Sequence, residues 1–82
     1  MHESGIVEEL IHAVEKVART NGGARVSRVE VGVGENAGFS REHFEEHFRH
    51  ASNGTIAQDA ALEIHTTPGD SLTLEAVEVE DE

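Results

Sequence analysis

The chain opens on Met1-His2-Glu3, three residues whose order permits metal chemistry. A free α-amine on Met1, the peptide nitrogen of His2 and the His2 imidazole can close two fused chelate rings in one plane. Nickel(II) accepts nitrogen donors in such a square-planar set and then needs a fourth donor. The amine, with a reference pKa of about 7.7–8, and the imidazole, at about 6.5, give up their protons readily near neutral pH, whereas the metal itself must displace the amide proton. Binding of this kind weakens as the pH falls. Glu3 has two readings. It either orients the imidazole or lies near the metal, as carboxylates beside metal-bound histidines commonly do, or it is a surface carboxylate favoured by the positive end of a helix. By spacing alone, a histidine after an initiator methionine is more often accidental than a ligand.

A second group competes with the first. His43, His47 and His50 fall at i, i+4 and i+7, on one stripe of a predicted helix, and an i, i+4 pair is a familiar chelating geometry. The stripe lies about 100° around the helix from the Phe44, Phe48 and Ala51 face. We read it as the half-exposed shoulder of an amphipathic helix, since histidine is a residue of intermediate burial. His12 is expected at the surface of the first helix and His65 on a polar sheet face. No serine–histidine–aspartate spacing, phosphate loop or paired carboxylates stand out, and Gly32-Val33-Gly34 lacks the rest of a nucleotide-binding fingerprint. A metallohydrolase using the histidine stripe is the weakest alternative, because no pocket residues converge on it.

These residues must be positioned by a small scaffold. Eighty-two residues make one predicted domain, near the size at which folding hides only about 60% of the unfolded chain's surface, so a large active-site cleft is not expected. The chain has no cysteine, which removes disulfides, thiolate zinc and thiol nucleophiles together. A cytoplasmic location is the simplest reading. Apolar runs fall well short of the roughly 18 residues of a membrane span, and the N-terminus lacks the basic flank and apolar run of a signal peptide. Six basic against seventeen acidic residues give a net charge of −11. That charge disfavours nucleic acid and anionic membranes, which are bound chiefly through lysine and arginine, and favours cations or basic protein surfaces.

The apolar pattern predicts the order α, β, α, β, β. Ser4 is placed as the cap of a helix whose face is Ile6, Val7, Leu10, Val14, Val17 and Ala18, stopped at Asn21-Gly22-Gly23. Val29, Val31 and Val33 alternate with polar residues as a strand. After the loop Gly34 to Gly38, Ser40 caps a second helix over Arg41 to about Ser52, with Phe39 stapled on Phe44, and Asn53-Gly54 ends it. Leu62 and Ile64 alternate in the next strand, "TTPGD" is a turn, and "SLTLEAVEVE" is the last strand, whose alternation slips near Glu75-Ala76 and predicts a bulge or twist there. The expected fold is α/β in the broad sense (α+β), a two-layer sandwich in which both helices cover one face of a small three-stranded mixed or antiparallel sheet. The last two strands are expected to pair as an antiparallel hairpin. Arg28, Glu30, Glu63, His65, Thr73 and Glu75 should line the other face, open to water.

With the blocks in this order, the resemblance is specific. "MHE", the helix after it, "SRVEVGVGENAGF", "NGTIAQDAALEI" and "GDSLTLEAVEVE" resemble successive segments of the HypA/HybF family of hydrogenase maturation nickel metallochaperones, over nearly the whole chain. The resemblance implies that Met1, His2 and Glu3 belong to a nickel site. It also implies that Glu35 or Asn36, in a loop that lies near the N-terminus in the family, is a polar neighbour of that site. In the family a zinc domain with paired CxxC motifs is inserted between the last two strands. Here the turn at residues 66–70 stands in its place, and no structural zinc is expected. The implied function is nickel delivery during [NiFe]-hydrogenase or urease maturation, not catalysis. The implied partners are a maturation GTPase and the apo-metalloenzyme, with homodimerisation left open. A metal-independent interaction module derived from the same domain is the alternative.

Overall fold

Five elements carry the chain through two layers: α1 (Glu3–Thr20), β1 (Arg25–Gly34), α2 (Arg41–Ser52), β2 (Ala61–Thr67) and β3 (Leu72–Glu80). The computed structural model describes residues 3–38 and 40–80, Glu3 and Ser4 by their backbone alone. α1 already includes Ser4, so that residue lies inside the first turn and not at the cap. The far end of α1 follows the expectation. Gly22, at φ +72°, takes the left-handed conformation that a side chain resists. The Gly23 and Gly22 amides then donate to the carbonyls of Ala18 and Arg19, closing the helix with the paired bonds of a Schellman turn.

Val7, Leu10, Val14 and Ala18 are buried as expected, but so is Ile11, whereas Val17 is 37% exposed. At 100° per residue Ile11 falls about 20° beyond Ala18 on one flank of the predicted face, and Val17 lies toward the opposite flank, beside Ile6. Ile11 is covered because α2 lies alongside, with Ala51 and Thr55 beside Ile11, Glu8 and Glu15. α2 has the bounds read from its cap and stop. Ser40 accepts from the His43 amide at 3.1 Å, and Gly54 follows with φ +83°. Phe44 and Phe48 are fully buried, their ring centres 6.5 Å apart, and pack into one cluster with Val7, Val14, Val26, Val29 and Val31. The expected partner of Phe44 in a staple, Phe39, lies outside the described residues.

The strand order is β2-β1-β3, which corrects the expected hairpin between the last two strands. β2 pairs with β1 in parallel and β3 pairs with β1 antiparallel, so β2 and β3 occupy opposite edges. The central place goes to the strand with the most to bury: Val26, Val29, Val31 and Val33 of β1 are all in the core, while β2 and β3 are only half-buried. Residues 68–71 carry the chain across the end of β1. Two strand spacings amount to about 10 Å, well within reach of four residues. Gly34 makes the crossing possible, because a Cβ there would lie 2.5 Å from the Gly69 carbonyl oxygen. Three backbone bonds of 2.8 Å, from Gly34 to Ser71, Glu35 to Thr67 and Asn36 to Gly69, clamp the crossing.

The predicted bulge is present. Between the pairs Glu30–Ala76 and Val31–Leu74, β3 carries one extra residue, Glu75, and a second irregularity leaves Ser27 extra on β1. The outer edge of β2 is partly covered, since the Arg41 guanidinium donates to the Ile64 carbonyl and that of Arg49 to the Ala60 carbonyl at 2.7 Å. Charged cover of this kind keeps an edge from pairing with another chain.

Candidate functional site

Met1 and His2 lie outside the described residues, and Glu3 is described only as the first residue of α1. The surroundings of that helix start are defined by the fold. α1 returns through a short turn into β1, so it runs antiparallel to β1 and begins at the end of the sheet where β1 stops. Glu35 and Asn36 follow β1 at that same end, both exposed, their amides held by Thr67 and Gly69. The Glu35 side lines a shallow hollow with Val33, Arg41, Ile64 and Thr66.

The three histidines of α2 do not converge. His43 and His50 are exposed and His47 is half-buried. His47 and His50 line a hollow with Glu46, and another against Val7, Glu8 and Ala51 of the facing helices, while His43 lines neither. This is the shoulder geometry expected of amphipathic filler. It also places His47 and His50 beside the second turn of α1, a proximity that spacing in the sequence does not reveal. His12 is exposed, in an open depression with Gly5, Glu8 and Glu9.

The helix-free face of the sheet holds an ionic network among residues that alternation alone gives only as a polar row. The Arg28 guanidinium donates from Nε to Glu78 at 3.1 Å and from one terminal nitrogen to Glu30 at 3.1 Å and Glu63 at 2.8 Å. His65 Nε2 stands 3.3 Å from Glu63. Bonds to Glu78, Glu30 and Glu63 push the Arg28 pKa still higher, so it remains a cation. Glu30, then Arg28 and, more weakly, His65 hold the Glu63 carboxyl below the usual carboxylate range. A depressed carboxylate adds stability above its unfolded pKa of about 4.3 and loses it as the pH falls through the folded value. Arg28→Gln is therefore expected to lower the melting temperature by only a few degrees at neutral pH, because the Arg28 side chain is 32% exposed and surface pairs contribute little. Thermal melts at low and high salt check this. The deficit should shrink at about 1 M salt, where screening is nearly complete, and below the carboxylate pKa.

A family profile described as "Hydrogenase/urease nickel incorporation, metallochaperone, hypA" matches residues 1–74. The hydrogenase maturation factor HypA of Rhodobacter capsulatus is 37% identical over 83 residues, an alignment covering 98% of this chain and 74% of that protein. The HypA of Chlorobium limicola is 41% identical over 64 residues, covering 78% of this chain and 55% of its own. The chain belongs to the HypA family. The fold agrees: the solution structure of the Ni metallochaperone HypA from Helicobacter pylori superposes with a TM-score of 0.87, at 22% identity and with complete coverage of both chains.

The HypA family is one of hydrogenase/urease nickel-incorporation metallochaperones and hydrogenase maturation factors, not of enzymes. Its profile begins at residue 1 and so includes Met1-His2-Glu3. No described helix is long and apolar enough to cross a membrane.

Proposed function

We propose that this HypA-family chain binds nickel(II) through the Met1 amine and the His2 amide and imidazole nitrogens, with Glu3 beside them. We further propose that it delivers the ion to an apo-hydrogenase or urease in concert with a maturation GTPase. The observation that carries this is the family match running through "MHE", a tripeptide whose nitrogens form a planar chelate without help from the rest of the fold. The start of α1 and the Glu35–Asn36 loop share one end of the molecule, which supports Glu35 or Asn36 as the polar neighbour. The link between β2 and β3 takes the place that the resemblance gives to the family's cysteine-rich insertion, and with no cysteine in the chain nickel is the metal of this reading. Docking on the acidic surface suits partners that present basic patches.

Titration of the untagged protein with nickel under anaerobic conditions tests the proposal. Near one equivalent, a diamagnetic square-planar species is expected. His2→Ala should abolish tight binding, while changing His43, His47 and His50 together to Gln should leave it largely intact. The reverse result would move the site to α2, and no binding at all would leave a protein-interaction module.

A further inference from the structure

The helix-free face brings together three ligating side chains, one from each strand. Glu30 comes from β1, His65 from β2 and Glu75 from β3, and one ligand atom from each lies within 4.8 Å of the other two. Among the described residues no other group of three or more histidines and carboxylates converges in this way. We propose that Glu30, His65 and Glu75 form a second site, for a borderline divalent cation of the zinc, cobalt and nickel kind, separate from the chain's N-terminus.

The site is built by two features of the sheet. The register shift on β3 makes Glu75 the extra residue between Leu74 and Ala76, which brings its carboxylate over β1. Beneath it lies Gly32, buried and opposite His65 in the β1–β2 register. A Cβ on Gly32 would come within 2.7 Å of Glu75 Oε2, so the bare glycine leaves the space in which that carboxylate sits. Glu30 is fixed from the other side by Arg28 at 3.1 Å, and His65 Nε2 points between Glu30 at 3.9 Å and Glu63 at 3.3 Å.

The charge also favours a cation. Glu30, Glu63 and Glu78 surround the guanidinium of Arg28, Glu75 adds a further carboxylate, and the His65 imidazole adds a nitrogen donor. A divalent ion offsets the excess negative charge. One imidazole with two carboxylates suits zinc, cobalt or nickel, whereas magnesium and calcium take oxygen donors. The remaining positions would hold water, and the half-exposed His65 leaves room for it.

Cobalt(II), followed by its d–d absorption with zinc(II) as competitor, tests the site in a protein whose terminus is silenced by His2→Ala and a Gly-Ser extension. One equivalent should bind, and magnesium in large excess should not displace it. His65→Gln and Glu75→Gln should each weaken binding at least about tenfold. Gly32→Ala should weaken it too, by pushing Glu75 aside. The combined His43, His47 and His50 change to Gln should leave it intact. Circular dichroism on each variant separates ligand loss from unfolding, and all four changes but Gly32→Ala fall on exposed or half-exposed side chains. The proposal is overturned if the silenced parent binds neither ion, if His65→Gln binds as tightly as the parent, or if binding vanishes with the α2 histidines. None of these results bears on nickel at Met1-His2, which is measured in the unmodified protein.

Discussion

Adding Gly-Ser before Met1 is expected to lower nickel affinity at least about tenfold, or about 1.4 kcal/mol, with no change in the melting temperature of the metal-free protein. The extension leaves every side chain in place. What it removes is the amine at the position from which it closes a ring with the His2 amide and imidazole, and a lone imidazole cannot replace two fused rings. Acetylation of Met1 should act in the same way. The loss should be larger at pH 7.5 than at pH 6, because protons already compete for the amine and imidazole at the lower pH. Paired titrations at the two pH values check this. Nickel held by oxygen-rich donors on the open sheet face would be paramagnetic, so the diamagnetic planar species reports the terminus alone. Equal affinities for the native and extended proteins at both pH values would show that the amine is not a donor.

The second large effect is on stability. Phe48→Ala is expected to cost about 3–5 kcal/mol, the range for emptying a fully buried aromatic site. A chain of this length has roughly 4–12 kcal/mol in all, so the variant should be extensively unfolded or melt far below the parent. Phe48 is fully buried beside Phe44, and these two rings are the large apolar groups by which α2 joins the core. His43→Gln, one exposed position on the same helix, should leave denaturant midpoints nearly unchanged, since surface substitutions usually stay within about 0.5 kcal/mol. The pair of variants also tests the histidine stripe. A metal bound across α2 would stabilise the folded form of Phe48→Ala by mass action, and nickel or cobalt should give no rescue that depends on His43, His47 and His50.

Much of this molecule's fold is legible in its sequence. Local signals have local causes: Ser40 caps α2 because its hydroxyl reaches the His43 amide three residues on, and Gly22 stops α1 because its backbone tolerates a positive φ. The slip in alternation at Glu75-Ala76 announced the bulge, since a strand with one extra residue must change which face its side chains meet. The chelate proposed for Met1-His2 uses donors adjacent in the chain, so that proposal draws on the covalent sequence and not on the fold.

What the sequence alone determined is therefore the set of elements and their periodicity. Tertiary structure decided which elements became neighbours. The turn expected at residues 66–70 implies a hairpin, yet β2 runs on to Thr67 and residues 68–71 cross the end of β1, because the valine-rich strand gains more by taking neighbours on both edges and Gly34 leaves room for the crossing. Ile11 was buried, and Val17 left near the edge of the stripe, by α2 lying against α1. Arg28 met Glu63 across 35 residues and Glu78 across 50, and Glu30, His65 and Glu75 converged from three strands. Each of these contacts depends on strand order and register, which are settled by burial summed over the whole core and carry no signal in any single stretch of sequence.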